Sequence, residues 1–144
     1  MIAQTIQLAL APVFVLVALG QILNAISVRF ARVIDRSRDL EQKYAETSGA
    51  EHDIIVLQIR AADERIKLLS SAIRAMVISG LAIGLTVALL FIEDVAGVIM
   101  YQFAAGVFLL AIAFLMWALW LFLRETQVAT AMLRVPRALL ELDK

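Results

Sequence analysis

Apolar residues along the chain form three long runs, separated by one charged stretch and one short acidic turn. Each run is close to the length of about 20 helical residues that crosses the hydrocarbon core of a bilayer. The pattern therefore predicts an all-α membrane protein with three transmembrane helices. The predicted boundaries are residues 1–28, 75–93 and 102–123 for the helices, 94–101 for the outer turn and 124–144 for an amphipathic tail.

The charged stretch, residues 29–74, has the periodicity of two packed helices. On each side of a turn near residues 47–51, apolar positions recur at alternating steps of four and three, the spacing of a helix seam. Thr47 or Ser48 can cap the second of these helices. No helix breaker separates the stretch from the neighbouring apolar runs, so we expect spans one and two to extend into an antiparallel helical hairpin.

The register of this hairpin follows from its two apolar stripes. The one small residue in each stripe, Ser37 in the first and Ala62 in the second, falls in the same layer when the stripes are paired about the turn. The same register brings Arg36 near Asp63. Exposed pairs of this kind contribute at most about 1 kcal/mol each, so they adjust the register more than the stability.

Lys and Arg residues lie on one side of the predicted spans. Four arginines follow the first span, Lys67 and Arg74 precede the second, and Arg124 follows the third, whereas the turn at residues 93–94 is acidic. Basic residues mark the cytoplasmic side of membrane proteins. We therefore expect the N-terminus outside, and the hairpin and the C-terminal tail in the cytoplasm.

Composition supports the membrane class and excludes several kinds of chemistry. Hydrophobic residues make up 62% of the 144 residues, above the share of roughly half in soluble domains. Charges balance at 13 against 13, so no nucleic-acid partner is predicted. There is no cysteine, one histidine and no catalytic motif. We expect no enzyme activity, no catalytic residue, no metal and no cofactor. Binding of a divalent ion by the carboxylates beside His52 stays an open alternative.

The first span carries a polar face composed of Gly20, Asn24, Ser27 and Ala31. An amide at membrane depth needs a partner or water. Two interpretations compete: Asn24 hydrogen-bonds across the bundle, or the face lines a pore in a homo-oligomer. Three helices are too few to enclose a conduit, so the second interpretation requires several subunits. The basic residues at the inner mouth of such a pore would be Arg29, Arg32 and Arg36.

Gly80 and Gly84 lie one turn apart in the second span. Small residues let helices approach closely in lipid. Packing against the third span within one chain explains this pair as well as oligomerisation does.

The first part of the chain resembles a known family. It has an early proline at Pro12, an Asn24-containing segment and then the run Arg-Val-Ile-Asp-Arg at residues 32–36. These features are similar to those of the domain of unknown function 2721 family, with Val33 and Ile34 in swapped order. The resemblance is good over about the first 45 residues, and absent in the tail. It implies a polytopic helical protein of the bacterial cytoplasmic membrane and no particular activity.

Two functions are consistent with these features. The leading hypothesis is a homo-oligomeric membrane protein with an ion-conducting pore lined by the first transmembrane helix. The alternative is a non-catalytic scaffold or accessory subunit whose hairpin binds a cytoplasmic or membrane protein partner.

Overall fold

The computed structural model describes residues 2–132 of the chain as three long α-helices. These are α1 (Ile2–Glu46), α2 (Ala50–Ala96) and α3 (Tyr101–Met132). Each helix contains an apolar stretch that is long enough to cross a membrane. The prediction of an all-helical protein with three candidate spans is therefore confirmed for the described residues.

The turn between α1 and α2 is capped differently from the prediction. The Thr47 hydroxyl donates to the Lys43 carbonyl at 2.9 Å, so it closes the end of α1. The N-cap of α2 is Gly49, which has φ 75° and no side-chain capping hydrogen bond. Glycine adopts a positive φ without steric cost. The expected cap from Thr47 or Ser48 is thus wrong, because the backbone conformation at Gly49 begins the helix instead.

The turn between α2 and α3 is also closed by a glycine. Gly97 is left-handed with φ 67°, and its N–H donates to the Glu93 carbonyl at 3.0 Å. This is the usual way in which a glycine ends a helix. α3 begins at Tyr101, so the chain reverses within a few residues.

Buried positions recur every seven residues along all three helices. They are Leu19, Ile26, Val33 and Leu40 in α1; Ile55, Ala62, Leu69, Met76, Ile83 and Leu90 in α2; and Ala104, Ala111, Ala118 and Glu125 in α3. A seven-residue repeat keeps one seam of a helix against its neighbour. α2 packs along both other helices, whereas α1 and α3 touch each other over only a short length.

The seam between α2 and α3 is built from small residues. The fully buried Ser79 hydroxyl of α2 donates to the Ala111 backbone carbonyl of α3 at 2.7 Å. A side chain as short as serine reaches another helix's backbone only when the two helices lie close together. The alanine repeat of α3 makes this approach sterically possible.

The glycine pair of α2 does not lie on that seam. A Cβ at Gly80 would lie 3.7 Å from Leu19 Cδ2 and 3.8 Å from Leu16 Cδ1, so Gly80 faces α1. Gly84 is exposed, and no heavy atom lies within 4 Å of the place that its Cβ would take. Within one chain, therefore, the pair does not pack α2 against α3.

The predicted hairpin register agrees with the Leu19–Gly80 contact. Leu19 precedes Ser37 by the same number of residues as Gly80 follows Ala62, which is what an antiparallel pair in this register requires. Ala62 is buried and Ser37 is half-buried. The direct pairing of Ser37 with Ala62 stays a prediction.

The prediction of an ion pair between Arg36 and Asp63 is wrong, because no such pair forms among residues 2–132. Lys67 Nζ binds Asp63 Oδ2 at 2.6 Å within α2 instead. This hydrogen bond to the carboxylate raises the pKa of Lys67 above its ordinary value of 10.5. Lysine and aspartate one turn apart on a helix meet without any register between helices, which explains why the local pair forms.

Candidate functional site

Glu125 is a fully buried carboxylate on α3. It follows Ala118 in the seven-residue repeat, so it occupies a position where α3 otherwise presents alanine to α2. Arg65 of α2 donates from Nε to Oε1 at 2.8 Å. Arg29 of α1 places Nη1 3.5 Å from Oε2. The carboxylate therefore binds one arginine from each of the other two helices, and we call these three residues the triad.

Arg29 makes further contacts with α3. Its Nη1 donates to Thr126 Oγ1 at 3.1 Å, and its guanidinium lies 5.3 Å from the centroid of the Phe122 ring. A cation over an aromatic face is attracted by the ring quadrupole. The Thr126 hydroxyl donates in turn to the Phe122 carbonyl at 3.0 Å. Through this one side chain α1 is joined to α3, the helix that it otherwise scarcely touches.

A cavity of about 400 Å³ lies beside the triad, between the three helices. We call it the basic cavity. Its lining residues are Arg29, Arg36 and Leu40 of α1, Gln58, Ala62 and Arg65 of α2, and Ala129 of α3. Within the described part of the chain the lining includes three guanidinium groups and one amide but no carboxylate. Arg36 is exposed, so the cavity can be reached from outside the protein.

The predicted pore face of α1 lies on the surface of the chain. Gly20, Asn24, Ser27 and Ala31 are all exposed. Among residues 2–132, no side-chain hydrogen bond joins Asn24 to another helix. The structure therefore gives no support to a hydrogen bond from Asn24 across its own bundle, and leaves this face open to lipid or to another chain.

The predicted inner-mouth arginines are divided between two sides of α1. Arg29 and Arg36 line the basic cavity, and Arg32 is exposed between the cavity and the pore face. At 100° per residue, Arg36 stands about 120° round the helix from Asn24. The structure thus does not bring Arg29 and Arg36 onto the face that carries Asn24.

The turn at the end of α1 brings two aromatic rings into contact. The rings of Tyr44 and His52 lie 4.4 Å apart, centroid to centroid. Across residues 2–132, no group of three or more histidine, aspartate or glutamate side chains gathers in a geometry that would hold an ion.

Sequence reasoning missed Glu125 and Arg65 as site residues. The charge of Arg124 ends the apolar run, so the sequence pattern places Glu125 in the predicted tail. One signal was available: Ala104, Ala111 and Ala118 are spaced by seven residues, and the next step of the repeat is Glu125. α3 continues through this position to Met132, so the glutamate belongs to the helix seam.

Three long apolar helices packed as described define a multi-pass membrane protein of all-α fold. A family model described as "Protein of unknown function (DUF2721)" matches residues 9–135, and the chain belongs to this family. The match confirms the resemblance to this family. The expectation that the resemblance is absent in the tail is wrong as far as residue 135. No curated protein matches the chain, and no solved structure does. Its function must therefore be argued from the arrangement of its own residues.

Proposed function

We propose that the protein forms a homo-oligomer in the bacterial inner membrane, in which the polar face of α1 from several subunits lines a path for ions. The observation that supports this is the exposure of Asn24 and Ser27 in an otherwise apolar stretch of helix. Polar groups left facing lipid are unfavourable. Facing the same residues of other subunits, or water between them, removes this cost.

The polar face continues beyond the apolar run with charges of both signs. Asp35 and Arg38 are exposed, and the helical repeat places them on the side of α1 that carries Asn24. Because this face carries one acidic and one basic residue, Asp35 of one subunit can pair with Arg38 of a neighbouring parallel subunit. The distribution of Lys and Arg supports an orientation with this charged end in the cytoplasm and the N-terminus outside.

Disulfide crosslinking tests the assembly, because the natural chain has no cysteine. Asn24→Cys and Ser27→Cys, made singly, are expected to give disulfide-linked dimers when membranes are oxidised. Met116→Cys is the matched control, since Met116 is exposed on α3 within about one turn of the same depth. Crosslinking that is absent at Asn24 and Ser27, or equal at Met116, contradicts the proposed interface.

Ion flux into liposomes that contain the purified protein tests the path itself. We expect flux with the natural chain, a large reduction with Asn24→Leu, and no change with Met116→Leu. Asn24→Leu removes the amide from the path, whereas Met116→Leu alters only a lipid-facing side chain. A monomeric particle in detergent together with no flux under any ionic condition would refute the proposal.

Exposed apolar residues near the turn between α1 and α2 favour a second function, that of a scaffold or accessory subunit. Ile54 and Leu57 are 57% and 64% exposed, lie one turn apart on α2, and are far from the apolar stretch of that helix. A scaffold or accessory subunit would use such a surface to bind a protein partner. Ile54→Ser with Leu57→Ser would then abolish co-purification of the partner and leave ion flux unchanged, whereas the pore function predicts that flux depends on Asn24.

A further inference from the structure

We propose that the basic cavity is a binding site for a phosphate group, carried either by an anionic lipid or by free phosphate. Arg29, Arg36 and Arg65 bring three positive charges to its lining, and Glu125 behind them neutralises one. The remaining excess of positive charge favours an anion. Guanidinium groups bind phosphate oxygens with parallel N–H donors, so the chemistry of the lining suits a phosphate group.

The arginines of the lining keep donors available for such a ligand. Each guanidinium has five N–H donors. Arg65 uses Nε for Glu125. Arg29 uses Nη1 for Thr126 and forms an ion pair with the Glu125 carboxylate. Arg36 has no ion-pair partner within residues 2–132, and the Gln58 amide adds a neutral donor to the lining.

Glu125 positions two of these groups. Its carboxylate is fully buried and binds Arg65 at 2.8 Å, so it restricts the direction in which that guanidinium can point. Arg29 is restricted by Glu125, Thr126 and the ring of Phe122. Side chains that are already ordered lose less conformational entropy when a ligand binds. The triad therefore prepares two arginines for the anion, and Arg36 completes the site from the exposed side.

The position of the cavity along the helices is compatible with both sources of phosphate. Arg29 directly follows the apolar run that ends at Val28, so in the proposed orientation it lies at the depth of lipid headgroups. Arg36 lies about 10 Å further along α1, at 1.5 Å per residue. The end of the cavity near Arg29 would thus meet a lipid phosphate, and the end near Arg36 would be open to phosphate from the aqueous phase.

The test compares Arg36→Gln with Arg60→Gln in the purified protein. Both arginines are exposed, Arg36 on α1 and Arg60 on α2, and both substitutions remove one positive charge, but only Arg36 lines the cavity. One arm measures retention of phosphatidylglycerol against phosphatidylcholine by native mass spectrometry. The other arm measures inorganic phosphate binding by titration calorimetry. We expect Arg36→Gln to weaken binding about tenfold, as for the loss of a charge-assisted hydrogen bond, and Arg60→Gln to leave it unchanged.

A second pair of variants adds charge to the cavity. Gln58→Glu places a carboxylate in the lining and is expected to abolish binding, whereas Gln42→Glu makes the same change at an exposed position of α1 outside the cavity. Selective loss in the lipid arm assigns the site to a lipid headgroup, and selective loss in the phosphate arm assigns it to free phosphate. Equal weakening by cavity and control variants, or no binding in either arm, overturns the proposal.

Discussion

Replacing Glu125 with alanine tests whether the triad stabilises the fold. The substitution leaves Arg65 and Arg29 without their shared carboxylate while their side chains are only 24% and 37% exposed. Alanine at this position also continues the repeat of Ala104, Ala111 and Ala118 along the seam with α2. The two effects have opposite signs, because one removes an ionic contact and the other removes the desolvation cost of a buried carboxylate.

The ionic contribution dominates in magnitude. The Arg65–Glu125 hydrogen bond, at 2.8 Å, is charge-assisted and contributes about 1.5–3 kcal/mol. The Arg29–Glu125 contact, at 3.5 Å and with a more exposed arginine, contributes at most about 1 kcal/mol. Breaking a buried pair costs about 3–5 kcal/mol when the remaining charge stays buried, and both arginines can partly turn to solvent. We therefore expect Glu125→Ala to destabilise the protein by about 3 kcal/mol.

Unfolding of the detergent-solubilised protein by added SDS, followed by far-UV circular dichroism, measures this difference. Glu64→Ala is the matched control: Glu64 is exposed beside Arg65 on α2, and its loss should change stability by less than about 0.5 kcal/mol. Combining Glu125→Ala with Arg65→Met should recover much of the loss, since apolar replacements of buried ion pairs are often neutral. A Glu125→Ala protein as stable as the natural chain would refute the reasoning, because the carboxylate would then be merely tolerated at an alanine position.

The remaining predictions concern the helix seams and one surface pair, and the first two use the same SDS titration. Ala111→Leu should destabilise by about 1–3 kcal/mol by overpacking the close contact of α2 with α3; an unchanged midpoint contradicts that close contact. Gly80→Ala should be neutral or stabilise by up to about 1 kcal/mol, since its Cβ would lie at ordinary contact distance, 3.7 Å, from Leu19; a loss of stability contradicts this. Because Asp63 raises the pKa of Lys67, their pairing stabilises the fold below pH 10.5 and this stabilisation is lost as the pH rises through the higher folded value. NMR titration of the Lys67 amine should show a lower pKa in Asp63→Asn, and identical titrations contradict the pairing.

The three spans could be predicted from the sequence because lipid imposes a simple requirement. About 20 apolar residues in a helix are needed to cross a bilayer, and this length can be counted directly. The candidate site could not be predicted in the same way. Arg124 and Glu125 end an apolar run, as residues at a membrane surface do, and only the arginines on α1 and α2 explain why Glu125 is buried.

The placement of the arginines shows a related limit. The sequence places Arg29, Arg32 and Arg36 together just beyond the first span, which suggests one basic group. Their angular positions on α1 differ. Which of them face the other helices can be judged only when the side of α1 that packs against α2 is known. Arg29 also depends on α3, a helix that lies about a hundred residues away in the chain. Periodicity describes one helix at a time and does not identify such a partner.

The polar face and the basic cavity lie on different sides of α1, so assembly and anion binding can be separated by experiment. Asn24 faces outward, whereas Arg29 joins α1 to α3. Glu125→Ala weakens that link without altering the outward face. Crosslinking through Asn24→Cys should therefore persist in the Glu125→Ala background if the oligomer is held by the α1 face alone. Loss of crosslinking in a variant that remains helical would mean instead that the link from α1 to α3 sets the angle at which the subunits meet.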